Sequence, residues 1–280
     1  MRNISSAEIV DAVAKMCMSA NYNMNVDIKN ALKNGMETER SEICRGVLEN
    51  LIKNADIAEK KQVPICQDTG MAVFFAEVGQ DVHIEGDTLT DAINKGVAKG
   101  YTDGYLRKSI VADPLRRVNT GDNTPAVIYY DMTKGDKLKI AFAPKGFGSE
   151  NKSALKMLNP ADGVEKIIEF VVETAKKADS NPCPPMVIGV GIGGTMDKAA
   201  VLAKKALFRS INERNKDEYY ADLENLLLER INKLGIGPQG MGGTTTCIGV
   251  NIEKYPTHIA GLPVAVNISC HVTRHAEIIL

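Results

Sequence analysis

Three cysteines stand in sequence that bends rather than in sequence that packs: Cys66 in VPICQDTG, Cys183 in SNPCPPM and Cys270 in NISCHVTRH. A thiolate that ligates a soft metal must leave the core and project from backbone that Pro and Gly can turn, and these settings provide it. The three lie far apart along the chain, so only the fold can unite them. The other three cysteines read differently. Cys17 and Cys44 fall on apolar helical stripes, and Cys247 in GGTTTCIGVNI opens an alternating strand, which makes all three packed side chains. A fourth ligand at Cys247 would instead complete a structural Zn²⁺ site, although no C-x-x-C knuckle is present.

Other groups could do chemistry beside these thiols. Asp68, two residues beyond Cys66, reads equally as an acid–base carboxylate or as the cap of an Asx turn in QDTG. The loop YLRKSIVADPLRRVNTGDNTP carries Arg107, Lys108, Arg116 and Arg117, and PKGFGSENKS carries Lys145, Gly148 and Lys152. Both loops hold little to bury and have the composition of ligand-facing segments. His258 lies in a turn twelve residues before Cys270, His271 and His275 follow that cysteine, and His83 reads as surface. Gly189-x-Gly191-x-x-Gly194 imitates a dinucleotide fingerprint, but no strand ending in a ribose-binding acid follows at the required distance. The glycines are better explained by close approach of backbone.

The elements that must position these groups form an α/β pattern. Residues 1–60 are helical, with Ile9, Val13 and Met16 on one stripe and Ile43, Val47, Leu48 and Leu51 on another; Ser5 and Glu8 form a capping box. MAVFFAEVG (71–79) reads as a strand, and DTLTDAINKGVAKGYTDG as a helix starting at Thr88 or Thr90 and ending at Gly104. PAVIYYDM, KLKIAFAP and MVIGVGIGG read as strands, with helices over 162–178, 196–211 and 219–234. The last forty residues mix glycine turns with short strands and end in an apolar strand leading to Cys270. The expectation is a single domain over 1–280, with a helical N-terminal lobe over 1–60 and loops presenting the thiols.

The 280 residues are 44% hydrophobic with a formal net charge of −1, enough to build a large core and nothing to suggest a nucleic-acid or membrane-surface binder. Six scattered cysteines and a polar N-terminus fit a reducing, cytoplasmic setting.

Together, ICQDTGMAVFF, LRKSIV, DPLRRVNTGDNTPA, PKGFGSENKS, NPCPPMVIGVGIGGT and NISCHVTRH resemble the class I, iron–sulfur fumarate hydratases, and more narrowly the separate alpha subunit of the split forms of that enzyme or of L-tartrate dehydratase. The resemblance covers nearly the whole chain. It implies a [4Fe–4S] cluster held by Cys66, Cys183 and Cys270, with one iron left open as a Lewis acid. It further implies acid–base work by Asp68 with His258, an amide contact from Gln67, a carboxylate partner in Arg107 and a backbone N–H from Gly148. Fused family members continue beyond the last cluster cysteine, whereas this chain ends at Leu280. The expectation is therefore a beta subunit that completes the active site, in an assembly of two alpha and two beta chains. The activity implied is reversible hydration of fumarate to L-malate; dehydration of L-tartrate to oxaloacetate is the alternative, and a non-enzymatic metal-stabilised binding protein a more remote one.

Overall fold

The computed structural model describes residues 2–280. In chain order the elements are β1 (Arg2–Ser5), α1 (Ser6–Tyr22), α2 (Val26–Thr38), α3 (Glu42–Lys61), β2 (Met71–Gly79), β3 (Val82–Glu85), α4 (Leu89–Asp103), β4 (Val127–Thr133), β5 (Leu138–Lys145), α5 (Phe147–Glu150), β6 (Ala154–Leu158), α6 (Gly163–Ala178), β7 (Met186–Gly193), α7 (Met196–Ala206), α8 (Glu218–Asn232), β8 (Cys247–Tyr255), β9 (Leu262–Ser269) and β10 (Ala276–Ile279). They confirm an α/β fold and divide into two compact units. One comprises residues 2–25, Ala55–Phe147 and Arg274–Leu280, the other Val26–Asn54 and Gly148–Thr273. The helices of residues 1–60 are thus shared between the units, α1 in the first and α2 with most of α3 in the second.

In the first unit, a four-stranded sheet has the order β10-β5-β2-β4, with β2 parallel to β4 and antiparallel to β5. Its inward face meets α1 and α4 in a core of Ile9, Val13, Phe74, Ile93, Val97 and Phe142. Ser5 caps α1 by accepting the Glu8 N–H at 3.2 Å, and Thr88 caps α4 by accepting that of Asp91 at 3.1 Å. The two helices lie close because Gly100 faces α1: a Cβ there would stand 2.8 Å from the Ala14 carbonyl oxygen. A short parallel ladder of β1 with β3 adds to this unit.

The second unit carries a sheet of order β6-β9-β7-β8. The alternation Ile188-Gly189-Val190-Gly191-Ile192 explains its layers, since successive strand residues face opposite ways. The bulky members join Val171, Leu227, Ile231 and Ile252 beneath α6 and α8. The glycines lie under α7, where a Cβ on Gly191 would meet the Ala203 amide nitrogen at 2.6 Å. The glycine run therefore serves helix-on-sheet packing. Helix α7 ends at Ala206 rather than at 211 because Asn251 donates its amide to the carbonyls of Ala206 (3.0 Å) and Arg209 (2.8 Å), which turns the chain out of the helix.

Candidate functional site

In the first unit, the segment 66–70 leaves α3 and enters β2. Ile65 anchors it, buried and donating its N–H to Asn21 O at 3.0 Å. Three side chains then hold three successive carbonyls. Arg274 donates to Asp68 O at 2.8 Å, Tyr101 to Thr69 O at 2.6 Å, and Asn123 to Gly70 O at 3.2 Å. Tyr101 and Asn123 are fully buried, so these donors have no competing water. Burial pushes the Tyr101 phenol well above its ordinary range, keeping it a proton donor throughout.

On this fixed backbone Cys66 is half-buried, and its sulfur accepts the Asp68 N–H at 3.4 Å, while Gln67 is exposed. The Asp68 carboxylate accepts two backbone N–H groups, from Gly70 on one oxygen and from Phe147 on the other, both at 3.0 Å. The Asx turn is present, and the second oxygen adds a tie to the PKGFG segment. Thr69 exchanges hydrogen bonds with the backbone of Arg107, accepting at 2.9 Å and donating at 3.2 Å, so the cationic loop departs from the same place. The Arg107, Arg116 and Arg117 side chains are exposed; Lys145 is buried, with its ammonium 3.4 Å from Gly146 O.

In the second unit, strand register brings two thiols to one end of the sheet. Cys183 precedes β7 and Cys270 follows β9; the strands are antiparallel with Val187 opposite Ser269. His271 stitches the two together: its backbone N–H and its ring Nδ1 both meet Cys183 O, at 3.3 and 2.9 Å. Gln239 Nε2 lies 3.2 Å from the same ring nitrogen. Gln239 braces the same turn through Pro184 O, at 2.7 Å from its side chain and 2.8 Å from its backbone. Cys183 is exposed with φ of 52°, a left-handed backbone that a non-glycine residue adopts only where its surroundings impose it. Cys270 is half-buried, and Gly148 is exposed at the start of α5.

The donor set fits a thiolate-bound cluster. Cys66, Cys183 and Cys270 reach solvent in part or fully, whereas Cys17, Cys44 and Cys247 are buried. Burial pushes the Cys247 thiol up to about 12 and that of Cys17 further, which disfavours the thiolate a metal requires. Among the described residues, no group of three or more His, Cys, Asp or Glu side chains surrounds the position of a single metal ion, so the assignment rests on donor chemistry.

His258 is placed elsewhere. It is exposed in the turn joining β8 to β9, at the opposite end of the sheet from Cys183 and Cys270. The length of β9 separates them, roughly 25 Å at 3.3 Å per residue. Proximity in sequence to Cys270 misleads here because a strand intervenes. The roles of Tyr101, Asn123 and Arg274 were missed in the sequence; their signal is tertiary, since each bonds backbone remote in the chain.

Comparison with known proteins adds three findings. The family profile described as "Fumarate hydratase (Fumerase)" matches residues 10–279. A Methanocaldococcus jannaschii protein named "Putative L(+)-tartrate dehydratase subunit alpha" is 44% identical over 275 residues, covering 96% of each chain. The "L(+)-tartrate dehydratase subunit alpha" of Escherichia coli O157:H7 is 32% identical over 277 residues, covering 98% of this chain and 91% of that one.

Proposed function

This chain belongs to the fumarate hydratase family, and from that premise we propose that it is the alpha subunit of an iron–sulfur hydro-lyase acting on a four-carbon dicarboxylate. Two substrates are supported equally. The family description favours hydration of fumarate to L-malate, and the names of the relatives favour dehydration of L-tartrate to oxaloacetate. The single observation that carries the reading is the division of the cysteines: Cys66, Cys183 and Cys270 reach solvent, whereas Cys17, Cys44 and Cys247 are buried.

Cys66, Cys183 and Cys270 would hold the cluster. When bound, a [4Fe–4S] cluster with one iron lacking a protein ligand supplies Lewis-acid chemistry toward a hydroxyl and a carboxylate, without electron transfer. The protein must supply the rest of an elimination: a base for the proton beside a carboxylate, and donors for the charge developing there. Asp68 is assigned the proton. Its oxygens accept backbone N–H groups from Gly70 and Phe147, which fixes the carboxylate in orientation while leaving further lone pairs for a substrate proton. Gln67 offers an exposed amide, Gly148 an exposed backbone N–H, and Arg107 a guanidinium suited to bidentate pairing with a carboxylate.

The placement of His258 gives its role a condition. It cannot share one small substrate with the Cys183 and Cys270 of its own chain, so any part in proton transfer requires a second copy. A beta subunit, supplying further cationic and hydroxyl side chains, completes the enzyme, and the whole is assigned as two alpha and two beta chains.

The test offers fumarate, L-malate and L-tartrate separately to the anaerobically reconstituted alpha chain with its beta subunit. Malate from fumarate identifies the first activity and oxaloacetate from tartrate the second; turnover of neither removes the hydro-lyase reading.

A further inference from the structure

Between α4 and β4 the chain builds an arm with ordered backbone and an apolar tip in water. Leu106 and Ile110 are buried at its base, and the amide of the fully buried Asn123 accepts the Ser109 N–H at 2.7 Å. The limbs pair through Val111 and Asn119, and Ala112 donates to Val118 O at 2.7 Å. At the tip, Asp113 caps the turn by accepting the N–H groups of Leu115 (2.9 Å) and Arg116 (2.6 Å). This internal bonding holds outward the side chains of Leu115, 90% exposed, and Val118, 65% exposed, flanked by Arg116 and Arg117. Ordering such an arm costs conformational entropy, and its tip recovers no burial within the described chain. A preformed apolar knob with cationic flanks is the anatomy of an interface anchor.

We infer that this arm is the docking element for the beta subunit, with Leu115 and Val118 entering an apolar pocket rimmed by acidic groups that pair with Arg116 and Arg117. The inference rests on the hydro-lyase reading for its occupant. The base of the arm supplies the argument: Arg107 is bonded to Thr69, beside Cys66, Gln67 and Asp68. A chain that completes the site around these residues meets the arm as it leaves them. Docking there would also hold Arg107 and residues 66–70 in register.

Sedimentation or calorimetric titration of the reconstituted alpha chain with the beta chain tests this, using Leu115→Asp, Val118→Asp, the pair Arg116→Glu and Arg117→Glu, and Met132→Asp as an exposed control on β4. The tip variants should weaken association by ~30-fold or more. The arginine variants should lose much of its salt dependence. Melting temperature and iron–sulfur absorbance of the isolated alpha chain should stay unchanged, as should binding by Met132→Asp. Affinity of the tip variants within threefold of wild type would overturn the inference, as would loss only of alpha self-association or an equal loss in Met132→Asp. Turnover by the wild-type pair is scored separately, so failure of the hydro-lyase reading is distinguishable from failure of the arm.

Discussion

The Asp68 carboxylate accepts the N–H groups of Gly70 and Phe147 and keeps further lone pairs. The sequence QDTG suggested either an Asx turn or an acid–base carboxylate; the turn is present, and the bond from Phe147 was illegible because it joins residues 79 apart. Replacing Asp68 by Asn should retain iron but lower kcat by about 10²- to 10⁴-fold, the usual contribution of a positioned proton-transfer group. Near-normal kcat in that variant would return Asp68 to a structural cap. The cysteines divide by the same reasoning. Ser at Cys66, Cys183 or Cys270 should eliminate iron–sulfur absorbance, whereas Cys247→Ser should keep it and alter only stability. Loss of the cluster in Cys247→Ser would refute the three-ligand assignment. Burial could be read for Cys17, Cys44 and Cys247 from apolar periodicity, but the meeting of Cys183 with Cys270 could not, because it depends on strand register.

Elements with strong internal pattern were legible, and those defined by partners were not. The run 71–79 and the helix closed by Gly104 were readable because alternation, caps and glycine agree locally. The four-residue β1, β3 and β10 were not read, nor was five-residue β6, since so short a strand takes its identity from its neighbour. Gly191→Val should destabilise the protein by about 3 kcal/mol or more, through overpacking against α7, as measured by chemical unfolding. Glu39, just beyond α2, is a second element-scale device that only the structure reveals. It is buried, and its carboxylate accepts N–H groups of Arg40, Ser41, Thr244 and Thr245, bracing the loop before β8. Burial alone would raise its pKa, but these donors outweigh it and bring it down to about 2 from 4.5. A depressed carboxylate stabilises the fold above its unfolded pKa, so this contribution, on the order of 3 kcal/mol, is present above about pH 5 and lost between about pH 5 and 2. Glu39→Gln should flatten the acid limb of the stability curve in that window; an unchanged limb would show the bracing to be energetically silent.

At the scale of the whole molecule, family membership extends across residues 10–279, and no helix among the described residues is long and apolar enough to cross a membrane. Were Cys66, Cys183 and Cys270 to hold a cluster with one open iron, as proposed, oxidants would reach it, so air with a chelator should strip iron and activity, and anaerobic Fe²⁺ with sulfide should restore both. Full activity after that treatment would contradict a cluster. The proposed hydro-lyase activity is measured as turnover by the anaerobically reconstituted alpha chain with its beta subunit on fumarate, L-malate and L-tartrate, with each chain alone as control. Hydration or dehydration of one substrate pair is expected only when both chains and the cluster are present. Failure to turn over any of the three by a complex carrying its full iron–sulfur absorbance would contradict it.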